Sequence, residues 1–193
     1  MNVPSSGGEV TEQAPVRERI LAAVLNVIGT DGIAAVTNRR IAAQAQVSLG
    51  SITYHFPSQT DMLRDALLGF VTEETARLTE LAEHYRDKGL SVQDAASLTE
   101  RVVRDLGWAA ERVAPFELYI QAGRDPALRA AADECFAAYD TLTVTILEGL
   151  GVPNATTIAP TLVATIAGLQ LRRLATGRDS QDISAAILML LPR

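Results

Sequence analysis

Twenty residues, TNRRIAAQAQVSLGSITYHF from Thr37 to Phe56, leave little freedom in how this chain can fold, because they encode two short helices joined by a tight turn. Thr37 is an N-cap residue whose hydroxyl can take an orphan amide of the first turn. Ile41, Ala42 and Ala45 then make an apolar stripe at helical spacing, and small Ala42 allows close packing. Val47 plugs the turn. Ser48 can cap a second helix that turns Leu49 and Ile52 inward and leaves Ser51, Thr53, Tyr54 and His55 outward, hydrogen-bonding groups suited to phosphates and base edges. The pattern is that of a helix-turn-helix.

Around this segment the spacing is helical almost throughout. Ile20, Val24, Val27 and Ile28 recur at three and four in a helix from Val16 to Thr30, ended by Asp31 and Gly32. A long helix is expected from Ser58 to about Tyr85, broken at Asp87 to Ser91. Another is expected from Val92 to Val113, and a short one opening at Pro115 and stopping at Gly123. Asp125 and Pro126 cap and open a longer helix to Leu150. A last pair follows, Thr156 to Thr176 with Pro160 in its first turn, and Ser180 to Leu191. The first fifteen residues, rich in Ser, Gly, Pro and acid, have no period and read as a flexible arm.

The chain of 193 residues carries a net charge of -6, which by itself argues against a polyanionic partner. The distribution answers that objection. Between Val16 and Pro57, Arg17, Arg19, Arg39 and Arg40 face only Glu18 and Asp31, so the acid lies away from the motif. Arg39 and Arg40 stand where a helix would meet a DNA backbone. No apolar run approaches the ~18 residues needed to span a bilayer, and the N-terminus lacks the basic and apolar regions of a secretion signal, so a cytoplasmic location is expected. The lone Cys135 lies in an apolar helical stripe and reads as a core thiol. His55 and His84 have no ligand set at metal-binding spacing, and neither a nucleophile elbow nor a phosphate loop is found. The residues give no footing to an enzyme, a metal or a cofactor.

The pieces RERILAAVLNVIGTDGIAAVT, RRIAAQAQVS and GSITYHFPS, in this order over residues 16–68, resemble the DNA-binding domain of TetR-family transcriptional regulators. Three positions depart from that pattern. Gln46 stands where the family has Gly in the turn, so a side chain must tolerate a left-handed conformation at a cost of roughly 1 kcal/mol. Thr53 replaces an aromatic residue, and Gln59 replaces a Lys that grips a phosphate.

The resemblance implies an all-α fold: an arm (1–15), a helix-turn-helix head (16–57) and a helical body for effector binding and dimerisation (58–193). DNA contact would fall to Thr37, Arg39, Arg40, Ser48, Leu49, Gly50, Ser51, Thr53, Tyr54 and His55 on a double-stranded, palindromic operator. The body's aromatic cluster, Trp108, Phe116, Tyr119, Phe136 and Tyr139, reads equally as plain core or as the lining of a small-molecule effector site. The last two helices are apolar around much of their circumference and need cover on more than one side. Leu162, Ile166, Gly168, Leu169, Ile183 and Ile187 are the expected homodimer interface. The function implied is that of a transcriptional repressor released by an effector. The alternative is a helical scaffold whose motif packs against protein and has lost DNA recognition.

Overall fold

The computed structural model describes residues 14–86, 88–105, 107, 109–178 and 183–192. Among these the regular structure is helical: α1 (Val16–Asp31), a 3-10 turn (Ile33–Ala35), α2 (Asn38–Ala45), α3 (Leu49–His55), α4 (Gln59–Arg86), α5 (Val92–Asp105), α6 (Ala110–Ala122), α7 (Pro126–Gly149), α8 (Ala155–Thr176) and α9 (Ile183–Leu190). The expected arm falls almost wholly outside the described residues.

Local chemistry sets most of these boundaries. The Thr37 hydroxyl accepts from the Arg40 amide, and Ser48 Oγ accepts from the Ser51 amide at 3.0 Å, so both motif helices start on the caps expected from sequence. Asp125 accepts from the Ala127 and Leu128 amides, with Pro126 in the first helical position. Ser91 and Asp94 cap α5 reciprocally, and the Ser91 hydroxyl, donating to Asp94 Oδ2 at 2.6 Å with the Ser91 amide beside it, holds the Asp94 carboxyl below its usual range.

The body departs from expectation at two prolines. The helix beginning at Val92 ends at Asp105, and Gly107, between it and the next helix, has φ 61°, a conformation that glycine adopts without strain. A new helix starts at Ala110 and runs through Pro115, which therefore interrupts α6 instead of opening it. Pro115 has no N–H to give the Glu111 carbonyl, a local defect held in place by burial of its ring. Pro160 likewise lies in the second turn of α8, since that helix begins at Ala155. The predicted start of the last helix, Ser180, lies outside the described residues.

Two hydrophobic cores result. The first joins α1, α2 and α3 to the start of α4, to α6 and to the first half of α7, through Ile28, Ile41, Ile52, Phe56, Met62, Leu67, Leu118 and Leu128. The second lies at the other end, among α5, the end of α7, α8 and α9. Helix α6 is joined to α1 without a spacer. A Cβ placed on Gly29 would stand 1.8 Å from the Ala110 carbonyl oxygen, so the two backbones touch there. Further along α6, Glu117 Oε2 accepts the Ile33 amide at 2.8 Å, fastening that helix to the 3-10 turn that leads into the motif.

Candidate nucleic-acid interface and effector cavity

Gln46 adopts the left-handed conformation anticipated for it, at φ 54° and ψ 48°. What makes this tolerable is a guanidinium from α1: Arg19 donates to the carbonyls of Ala45 and Gln46 at 2.6 and 2.8 Å. It thereby satisfies acceptors left over at the end of α2. Val47 packs partly buried against the first core. Gln59, in place of a lysine, donates to the Val36 carbonyl at 2.9 Å and ties the start of α4 to the loop before α2.

The outer face of α3 presents Thr53 and Tyr54, the latter 84% exposed, with Ser51 and His55 half-buried beside them. Leu49 corrects the sequence reading. It lies at the first helical position, turned away from the core and 47% exposed, so Ile52 alone of the pair is the inward anchor. Gly50 has open space where a Cβ would point, apart from Ser48 Oγ at 3.7 Å. The two arginines of α2 also differ. Arg40 is engaged by Asp31, whereas Arg39 is exposed without an ion-pair partner among the described residues.

Phe56 fills the head's core, with the Arg17 guanidinium 5.5 Å from its ring centre. Cys135 is buried, and that burial pushes its thiol up to about 12, so it stays a neutral core group.

Between the two cores lies a cavity of about 390 Å³, within the range of roughly 300–1,000 Å³ usual for small-molecule sites. Phe116, Tyr119, Phe136 and Tyr139, the aromatic residues picked from sequence, all stand on its wall. Trp108 lies outside the described residues. Sequence reasoning, which looked only to aromatic side chains, missed the contributions of α4, through Phe70 and Leu78, and the aliphatic wall of α5, through Leu98 and Val102. The polar groups are few. Glu74 is held by Arg77, with Arg112 beside it at 3.3 Å. Burial raises the phenols of Tyr119 and Tyr139 well above their usual range.

The Tyr119 hydroxyl is buried and lacks a hydrogen-bond partner among the described residues. An unmet buried polar group costs about 1–3 kcal/mol. Tyr119→Phe is therefore expected to leave the fold as stable as before or raise it by about 1 kcal/mol, measured by thermal unfolding. A clear loss would mean that the hydroxyl has a partner.

The expected dimer residues separate into two groups. Leu162, Ile183 and Ile187 are at most 6% exposed, spent on the second core of their own protomer, so they are poorly placed to meet another copy. Ile166 and Leu169 are half-buried against the same core, and Gly168 is exposed, with nothing within 4 Å of where a Cβ would stand. The outer faces instead carry Ala164, Gly168, Leu171 and Ala175 on α8, and Met189, 84% exposed, on α9.

A capped helix-turn-helix fused to a helical body with an apolar cavity defines a class: one-component regulators that read DNA with one end. Known proteins of similar sequence and shape fall in that class. Residues 20–66 match the family model of bacterial regulatory proteins of the tetR family, and residues 90–193 match that of the tetracyclin repressor-like C-terminal domain. Among solved structures, the multidrug binding protein EbrR complexed with ethidium is 30% identical, with TM-score 0.76 over 93% of this chain and 100% of that one. A TetR-family member from Streptomyces coelicolor A3 is 30% identical, TM-score 0.73, covering 92% of this chain and 99% of its own. A transcriptional regulator from Rhodococcus sp. Rha1 is 25% identical, TM-score 0.75, with coverage of 90% and 95%. No curated protein matched by sequence.

The chain belongs to the TetR family of transcriptional regulators, DNA-binding proteins modulated by small molecules and not enzymes. The scaffold alternative is not favoured. No described helix is long and apolar enough to cross a membrane.

Proposed function

We propose that this chain is a cytoplasmic homodimeric repressor whose heads, residues 16–57, read the two halves of a palindromic operator. Its body, residues 58–193, takes an effector into the cavity between the cores. Half-sites about 34–36 Å apart require two heads at a fixed separation, so an effector releases DNA by favouring a different one. One observation carries the reading: α6 is both cavity wall, through Arg112, Pro115, Phe116 and Tyr119, and the backbone partner of α1 at Gly29. A ligand that displaces α6 displaces α1, whose Arg19 holds the turn of the motif.

Thr37, Ser48, Gly50 and Ser51 would serve DNA through backbone geometry and hydroxyls at the helix starts, and Leu49, Thr53, Tyr54 and His55 through the exposed face of α3. Because Arg40 is held by Asp31, Arg39 is the better phosphate contact. Arg39→Ala should flatten the slope of log affinity against log salt by about 1, while Tyr54→Ala should weaken binding with helicity intact. An unchanged slope would remove Arg39 from the interface.

Selection of genomic DNA by the purified protein, followed by sequencing and mobility shift of the enriched fragment, tests the reading. One palindromic site bound by a dimer is the expected result. Failure to enrich any sequence at low salt would overturn it.

A further inference from the structure

The charges on the cavity wall bear on what it accepts, given the effector reading above. Glu74 is the only acidic residue on that wall among the described residues. It is also fully engaged: Arg77 holds both carboxylate oxygens, with Nε 3.3 Å from Oε2 and Nη2 3.0 Å from Oε1. Arg112 Nη1 reaches the same Oε1 at 3.3 Å, near the outer limit of a hydrogen bond. One carboxylate thus faces two guanidiniums, and the group as a whole carries excess positive charge. Glu74 is not available to neutralise a cation, because Arg77 already pairs with both its oxygens and Arg112 stands beside it on the cavity wall.

Arg112 is in the opposite position. Its side chain is 24% exposed, it stands on the wall beside Phe116 and Tyr119, and the contact to Glu74 is that side chain's one hydrogen bond among the described residues. A guanidinium has five N–H donors in a planar fork, so most of its capacity is unspent and matches the oxygens of an anionic group. Such a charge-assisted bond gains strength where water is excluded, as in a cavity walled by Phe70, Leu78, Leu98, Val102 and Phe136. A second guanidinium, Arg173, also stands on the wall, engaged by a partner of its own.

We infer that the cavity is built for an apolar or aromatic body bearing one anionic group, a carboxylate, sulfonate or phenolate, with Arg112 as the group that selects the charge.

The test uses two dyes that differ by one group, 1-anilinonaphthalene-8-sulfonate and the uncharged N-phenyl-1-naphthylamine, with ethidium as a planar aromatic cation. All three are titrated into the full-length protein by fluorescence. The sulfonate should bind about tenfold or more tightly than its uncharged analogue, and ethidium more weakly than either. Arg112→Gln should abolish the sulfonate preference while the uncharged dye binds as before, and Arg112→Lys should keep part of it. Glu74→Gln, which releases both guanidiniums, should tighten the sulfonate. Circular dichroism and affinity for the uncharged dye check that each variant is folded with its cavity intact.

Equal affinities for the two naphthyl dyes, a preference for ethidium, or a sulfonate preference that survives Arg112→Gln would overturn the inference and leave the effector reading standing. Failure of all three dyes to bind, or binding that never changes affinity for the selected DNA, would overturn both.

Discussion

Gly29→Ala is expected to lower the midpoint of thermal unfolding by roughly 4–8 °C, although helix propensity points the other way. In a helix interior alanine is better than glycine by about 1 kcal/mol. Here the added methyl would lie 1.8 Å from the Ala110 carbonyl oxygen, 2.3 Å from its carbon and 2.6 Å from its Cα. Those are backbone atoms near the start of α6 and cannot rotate aside, so the helices must separate. Overpacking of this kind costs about 1–3 kcal/mol and occasionally more, and with a whole helix to displace the upper end applies. A net loss of about 2 kcal/mol converts to the stated shift at roughly 2–4 °C per kcal/mol for a chain of this size. Gly69→Ala, in the interior of α4 with nothing within 4 Å of the new methyl, is the control and should gain the propensity benefit. The same wedge that separates α1 from α6 should also reduce the effect of a cavity ligand on DNA affinity. Two variants of equal or greater stability would show that α1 and α6 do not touch as described.

Nothing in the sequence singles out Gly29, and the reason is physical. A glycine inside an apolar helical run looks only like a weak spot, and its meaning depends on Ala110, far along the chain. What is legible is local. The hydroxyls of Thr37 and Ser48 act within three residues of themselves, and the left-handed Gln46 follows from the glycine that the family resemblance puts at that place in the turn; the structure bears out both. Leu49 escapes such reasoning because a seven-residue helix shows too little period to fix a face, and the first helical position lies at the edge of any stripe. In the body, Pro115 looks like a helix start because proline favours that position, while the actual break at Gly107 depends on a φ of 61° that composition does not reveal. The cavity is half legible. Bulky aromatics on α6 and α7 declare themselves, whereas the aliphatic residues of α4 and α5 become wall only because the two cores stand apart.

Leu171→Arg is expected to convert the proposed homodimer to monomers, and the choice of that residue rests on which side of α8 is already covered. The sequence shows a helix apolar on most sides but does not say which side its own protomer takes. In the fold, Leu162 and Ile166 turn toward α7, α9 and the cavity, leaving Ala164, Gly168, Leu171 and Ala175 at spacings of four, three and four on the opposite side. Small side chains there allow a second helix to approach closely, and Leu171, 44% exposed, with Met189 on α9 supplies the apolar bulk. In an isolated protomer an arginine at 171 reaches water and changes stability by no more than about 0.5 kcal/mol. Inside a dimer interface it is an unpaired buried charge costing about 3–5 kcal/mol, which raises the dissociation constant by at least about 100-fold. Sedimentation at micromolar concentration should then show monomers with unaltered circular dichroism. Operator affinity should fall with the dimer, because one head alone grips one half-site. Ile120→Arg is the control: Ile120 is 60% exposed on α6, away from this face, and the substitution should leave the dimer intact. A Leu171→Arg protein that sediments as a dimer of native stability would place the two-fold axis on another surface.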